Sequence, residues 1–291
     1  MVYGFCIMIL LLLHAAAPVN AQETTLKVGA DQFVFQHNDG KLTRPITVWT
    51  YRPKQMALDA HVLFVMHGVQ RDGERYRDEW RAYAERASAL LLVPEFSAAY
   101  FPGSGGYSSA KPSAGSADAD LTPAAYSAIE KIFDRAIKLA GVNAVDFRLY
   151  GHSAGAQFVH RFIMFNPTAR VKIAVAANAG WYMMPDFGVR FPYGLKGSGI
   201  DSAKLRESLA KKLIVLLGEK DIDPQHPSLN RGAGPMRQGR QRFERGQNFY
   251  RAAQHVAEKL QVPLSWDLAT VPNADHDNTK MAPAAAPLLL K

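Results

Sequence analysis

The sequence predicts an α/β fold, a mostly parallel central sheet with helices on both faces. From residue 61 onward, short runs rich in Val, Ile and Leu alternate with longer segments of helical periodicity, the order that parallel βαβ units produce. The chain has 291 residues, 48% of them hydrophobic, which is enough to bury one substantial core. No internal repeat and no interdomain linker is visible, so residues 22–291 are expected to form a single domain.

The elements follow in order. Phe33–His37 and Ile46–Arg52 are rich in β-formers and flank the turn signal Asn38-Asp39-Gly40, so a hairpin is expected to open the domain. Strands are then expected at His61–Met66, Leu90–Pro94, Phe147–Tyr150, Val171–Ala177, Leu213–Leu217 and Leu264–Val271. Helices are expected at Glu74–Ala87, Pro123–Ala140, Ala154–Phe165, Ser202–Lys211, Gln238–Leu260 and Thr279–Leu290. In the first helix Tyr76, Trp80, Tyr83 and Ala87 recur every three or four residues and predict one apolar stripe. Ala98–Asp118 and Gly180–Asp201 are rich in Gly, Ser and Pro and read as irregular rims.

Residues 5–17 are apolar apart from His14 and precede Val19-Asn20-Ala21, a small-residue pattern suited to signal-peptidase cleavage. Residues 1–21 therefore read as a signal peptide and the mature protein as exported, periplasmic or secreted. The run is shorter than the roughly 20 apolar residues of a spanning helix, so no stable membrane insertion is expected. Cys6 is the one cysteine and lies inside that run, which leaves the mature chain without disulfides or thiolate metal ligands. The net charge of +8 falls wholly on the mature part. Arg237, Arg240, Arg242 and Arg245 read as the solvated face of a helix, and no nucleic acid partner is expected.

The decisive motif is Gly151-His152-Ser153-Ala154-Gly155, placed between a strand and an apolar helix. A sharp strand-to-helix turn strains the serine backbone, and small residues two positions to either side avoid collision with neighbouring elements. The turn presents Ser153 Oγ above the sheet, next to the positive end of the following helix. With this motif in this context the chain resembles the α/β-hydrolase superfamily. Within it, the resemblance is to the secreted serine esterases that include polyhydroxybutyrate depolymerases and feruloyl esterases.

A serine hydroxyl needs an imidazole to take its proton, and that imidazole needs an acid partner. The resemblance implies the chain order Ser, acid, His. Among the nine histidines, His276 alone sits in a polar loop between the last strand and the C-terminal helix, so it is the expected base. The acid is expected after Leu213–Leu217, where both Asp221 and Asp223 stand; the family spacing from Gly218 favours Asp221. The oxyanion donors implied are the backbone amides of Ala154 and of Val69, the latter in a His67-Gly68-Val69 loop that matches the family pattern. Gln70 and Arg71 follow directly and read as surface residues or as an anchor for a substrate carbonyl or carboxylate.

Tyr107 and Trp181, in the irregular rims, are candidates to line an apolar acyl or aryl pocket, or to pin those loops to the core. No cofactor and no metal is implied, since neither His-x-x-x-His spacing nor a dinucleotide-type glycine loop occurs. The reading is a serine hydrolase acting on a small-molecule or oligomeric ester through a Ser153-Asp221-His276 triad. The absence of a further module after the core favours a soluble, short ester over a crystalline polymer. A peptidase or thioesterase on the same fold, and a silent binding protein on a hydrolase scaffold, are the alternatives; the sequence leaves the oligomeric state open.

Overall fold

A computed structural model describes residues 25–40, 42–109 and 124–291; the expected signal peptide lies outside them. The hairpin forms as expected from β1 (Gly29–Asn38) and β2 (Thr43–Arg52). Its turn is tied by Leu42 N–H donating to Asp39 Oδ1 at 2.9 Å and by Gly40 at φ 84°, a left-handed backbone that glycine adopts without penalty.

The remaining strands are β3 (Val62–Met66), β4 (Leu90–Glu95), β5 (Phe147–His152), β6 (Val171–Ala177), β7 (Leu213–Gly218) and β8 (Trp266–Val271). The sheet order is β1-β2-β4-β3-β5-β6-β7-β8. The β1-β2 and β2-β4 pairs are antiparallel and every other pair is parallel. Strands β3 and β7 are buried at every residue, as strands covered on both faces must be.

The helices are α1 (Gly73–Arg86), α2 (Gly103–Gly106), α3 (Ala124–Ala140), α4 (Ala154–Phe165), α5 (Ser202–Leu209), α6 (Ala233–Met236), α7 (Arg242–Leu260) and α8 (Asn278–Leu289). One core unites α1 and α8 with one sheet face through Tyr76, Trp80, Met281 and Leu289. The other packs α3, α4, α5 and α7 on the opposite face through Phe133, Phe158, Leu205 and Phe249. Each such fully buried side chain contributes about 1.5–3 kcal/mol.

Two expectations shift. The buried stripe of α1 is Tyr76, Trp80 and Ala84, with Tyr83 and Ala87 at its margin. The long helix starts at Arg242 and not at Gln238, because Gly239 sits at φ 150°, outside helical space. Gln241 then caps the helix, its side chain accepting from Glu244 N–H at 2.8 Å. Among the described residues no helix is long and apolar enough to cross a membrane.

Candidate active site

The parallel strands end on one side of the sheet, where the loops after β3, β5, β7 and β8 converge. The turn after β5 holds Ser153 at φ 57°, ψ −113°, a left-handed backbone that costs a non-glycine residue of order 1–3 kcal/mol. Close packing enforces it. A Cβ on Gly155 would lie 2.1 Å from Met66 O of β3, and one on Gly151 would lie 2.3 Å from the backbone of Gly155. The two glycines of the motif are therefore steric necessities of a helix packed hard against its own strand and the next.

His276, in the loop after β8, stands with Nε2 2.9 Å from Ser153 Oγ and Nδ1 2.7 Å from Asp221 Oδ2. The carboxylate fixes the tautomer: an ionised oxygen only accepts, so Nδ1 carries the proton and Nε2 is free to accept from the serine. Asp223 is elsewhere, exposed, with Oδ1 accepting from Gln225 N–H at 2.8 Å as a turn cap. Burial lowers the His276 pKa below its ordinary value; the Asp221 hydrogen bond and charge oppose that, and the charge of Arg242 adds to it. A neutral base at neutral pH results.

The loop after β3 is held by His67. Its Nε2 accepts from Phe96 N–H at 3.1 Å, so Nδ1 carries the hydrogen and donates to Gly68 O at 2.9 Å. Burial pushes its pKa down to about 4, which keeps the ring neutral and this pattern intact. Tyr107 Oη donates to His67 O at 2.8 Å and its ring stacks on the imidazole. With the Gly68 carbonyl pinned, the following peptide is oriented, and the Val69 amide has no protein acceptor among the described residues. Ala154 is the first residue of α4, where helical N–H groups have no preceding carbonyl.

No family profile and no curated protein sequence matches the chain. Solved structures do. Poly(aspartic acid) hydrolase-1 from Sphingomonas sp. KT-1 is 40% identical, with a TM-score of 0.86, over 91% of this chain and 100% of its own. LpqC, a poly(3-hydroxybutyrate) depolymerase from Bordetella parapertussis, is 34% identical, with a TM-score of 0.83, over 90% of this chain and 89% of its own. The chain belongs to the α/β-hydrolase superfamily, among its serine hydrolases. An S-formylglutathione hydrolase from Agrobacterium tumefaciens, 13% identical at a TM-score of 0.57 over 92% of this chain and 98% of its own, shares the fold.

Beside Ser153 the hydrolase has a cleft of about 440 Å³. Tyr107 and Trp181 do line it, together with Val69, Ala154 and Gln157, but both aromatics are almost wholly buried. Trp181 is held between the Tyr193 ring and the Arg161 guanidinium, which lies 4.2 Å from the Trp181 ring centroid. Ser104, Ser108, Ser109, Ser228 and Asn230 add polar groups to a wall that the aromatics, Val69 and Ala154 make mainly apolar.

Other residues of this hydrolase escaped the sequence reading. Asn178 directly follows β6 and staples two site loops, its Oδ1 accepting from Gly218 N–H at 2.7 Å and its Nδ2 donating to Asp275 O at 2.9 Å. The reading of Arg242 and Arg245 as solvated is wrong. Both are buried: Arg242 donates to Asp221 Oδ1 at 3.0 Å and to Ser228 Oγ at 2.9 Å, while Arg245 donates to the carbonyls of Gly180, Asn230 and Gly239. Helical spacing alone cannot tell an arginine facing water from one facing a cage of loop carbonyls. Among the described residues no cluster suited to a metal ion is present.

Proposed function

We propose that this hydrolase cleaves carboxylic esters, with Ser153 as nucleophile, His276 as general base and acid, and Asp221 as the group that orients the imidazole. The observation that carries the reading is the unbroken chain of hydrogen bonds from Ser153 Oγ through His276 to Asp221. Ser153 Oγ attacks the ester carbonyl while Nε2 takes its proton, and Asp221 stabilises the imidazolium. The developing oxyanion lies against the amides of Val69 and Ala154. Collapse passes the proton from His276 to the departing alkoxide and leaves an acyl-serine. Water, deprotonated by the same nitrogen, releases the carboxylic acid and restores Ser153.

The leaving oxygen must reach His276 to be protonated, and His276 lines a smaller pocket of about 230 Å³ with His226 and Gln70. The alcohol portion is assigned to that pocket. The acyl chain is assigned to the larger cleft, which His276 does not line.

Amide cleavage by the same machinery is the second reading, favoured by the 40% identity to a hydrolase whose substrate is poly(aspartic acid). Residues 1–21 are proposed to direct export, and a mature N-terminus at Gln22 on protein recovered from periplasm or medium checks this. The function itself is tested with a panel of p-nitrophenyl esters on wild type and Ser153→Ala. Ester turnover that the variant loses supports the reading, and equal turnover by both removes it.

A further inference from the structure

The charges around the acyl cleft do not balance. Arg71 and Arg242 line it, and among the described residues no Asp or Glu does. Arg242 is paired with Asp221. Arg71 donates instead to three main-chain carbonyls, those of Phe96, Phe101 and Gly103, and lies 4.4 Å from the Tyr107 ring centroid. Behind the opposite wall, Arg161 donates to Gln157 O at 3.0 Å, and Arg245 donates to Gly180 O at 2.6 Å and to Asn230 O at 2.9 Å, all three acceptors belonging to residues that line the cleft. Among the described residues no carboxylate pairs with Arg71, Arg161 or Arg245.

Carbonyl oxygens satisfy N–H groups without cancelling the charge, so each cation has lost part of its hydration with no counter-ion in exchange. Burial draws Arg161 and Arg245 down to about 10, which still leaves them cationic at neutral pH. A concave, partly dry cleft ringed by such charges focuses a positive potential on its interior. Arg71 is half-buried, stands in the wall itself, and is held rigidly by its carbonyls and the Tyr107 ring.

We propose that the cleft beside Ser153 is an anion subsite, in which Arg71 pairs with a carboxylate carried by the acyl chain of the substrate. This rests on the hydrolase reading above and adds the chemical class of the acyl group.

The test compares two p-nitrophenyl esters with five-carbon acyl chains, the neutral valerate and the anionic glutarate monoester, at low salt near neutral pH. The background hydrolysis of each is subtracted. Wild type is expected to favour the glutarate in kcat/KM by about tenfold, as one charge-assisted hydrogen bond supplies, and to lose the preference as salt is raised. Arg71→Gln is expected to remove the preference and Arg71→Lys to restore part of it. The salt series is read on wild type and stands even where Arg71→Gln fails to fold. Equal or better use of valerate by wild type overturns the proposal and leaves the esterase in place. An undiminished preference in folded Arg71→Gln overturns the role given to Arg71. Turnover of neither ester, without labelling by a fluorophosphonate, removes the hydrolase reading and this proposal with it.

Discussion

Arg242 and Asp221 form a buried ion pair at 3.0 Å, with the second carboxylate oxygen given to His276. Asp221 is thus held from two sides, and Arg242 is the residue that positions it. The pair also sets the base. His276 faces Asp221, Ser153, His152, His226 and the charge of Arg242, and the positive partner opposes its protonation.

Because a lowered pKa keeps the base neutral further into acid, the acid limb of kcat/KM for wild type is expected below the ordinary histidine value of 6.5. Arg242→Met removes one lowering influence, so its acid limb is expected to move up in pH. It also leaves a carboxylate buried without its cation, with a stability loss of about 3 kcal/mol by urea unfolding. Arg242→Lys is expected to recover part of both. An unmoved pH profile in folded Arg242→Met would remove the positioning role.

The two aspartates of the acid loop separate cleanly. Asp221→Asn is expected to lower kcat by about 10⁴-fold, the loss that follows when a serine-hydrolase imidazole is held in the wrong tautomer. Asp223→Asn, at an exposed turn cap, is expected to stay within about twofold. Steady-state kinetics on both variants decide it, and the reverse ranking would move the acid assignment.

His67→Leu leaves Phe96 N–H without a partner in a buried setting and removes one of two donors to the Gly68 carbonyl, which keeps Arg71 N–H at 3.3 Å. The orphaned N–H costs about 1–3 kcal/mol. Since the tether orients the peptide that carries the Val69 amide, kcat is expected to fall by about 10²-fold with KM little changed, as for loss of an oxyanion donor. A rise in KM at constant kcat would point to substrate binding instead.

Gly155→Ala places a Cβ against Met66 O, main chain that cannot step aside cheaply. A stability loss of about 3 kcal/mol or more is expected in thermal unfolding, together with lost activity, because the displaced strand leads into the His67 loop. Wild-type stability in this variant would contradict the steric account of the nucleophile turn.

The nucleophile turn was legible in the sequence because its constraint is local: two glycines four residues apart flank the strained serine. From β3 onward the strands were legible from composition, within a residue or two at their ends, while β1 and β2 begin four and three residues earlier than expected. The acid was narrowed to Asp221 or Asp223 by its place after β7 and favoured as Asp221 by family spacing, and the hydrogen bond from His276 falls on Asp221. Arg242 and Arg245 were not legible, since their partners come from loops up to 65 residues away. Nor was Asn178, a single polar residue after a strand whose two partners lie 40 and 97 residues downstream.

The central claim, that Ser153 is an activated nucleophile, is tested most directly by intact-mass and peptide mapping after treatment with a fluorophosphonate. The account predicts one adduct on Ser153, absent from Ser153→Ala and strongly slowed in His276→Ala. Folded wild-type protein that takes up no label, or an adduct that persists in Ser153→Ala, would contradict it.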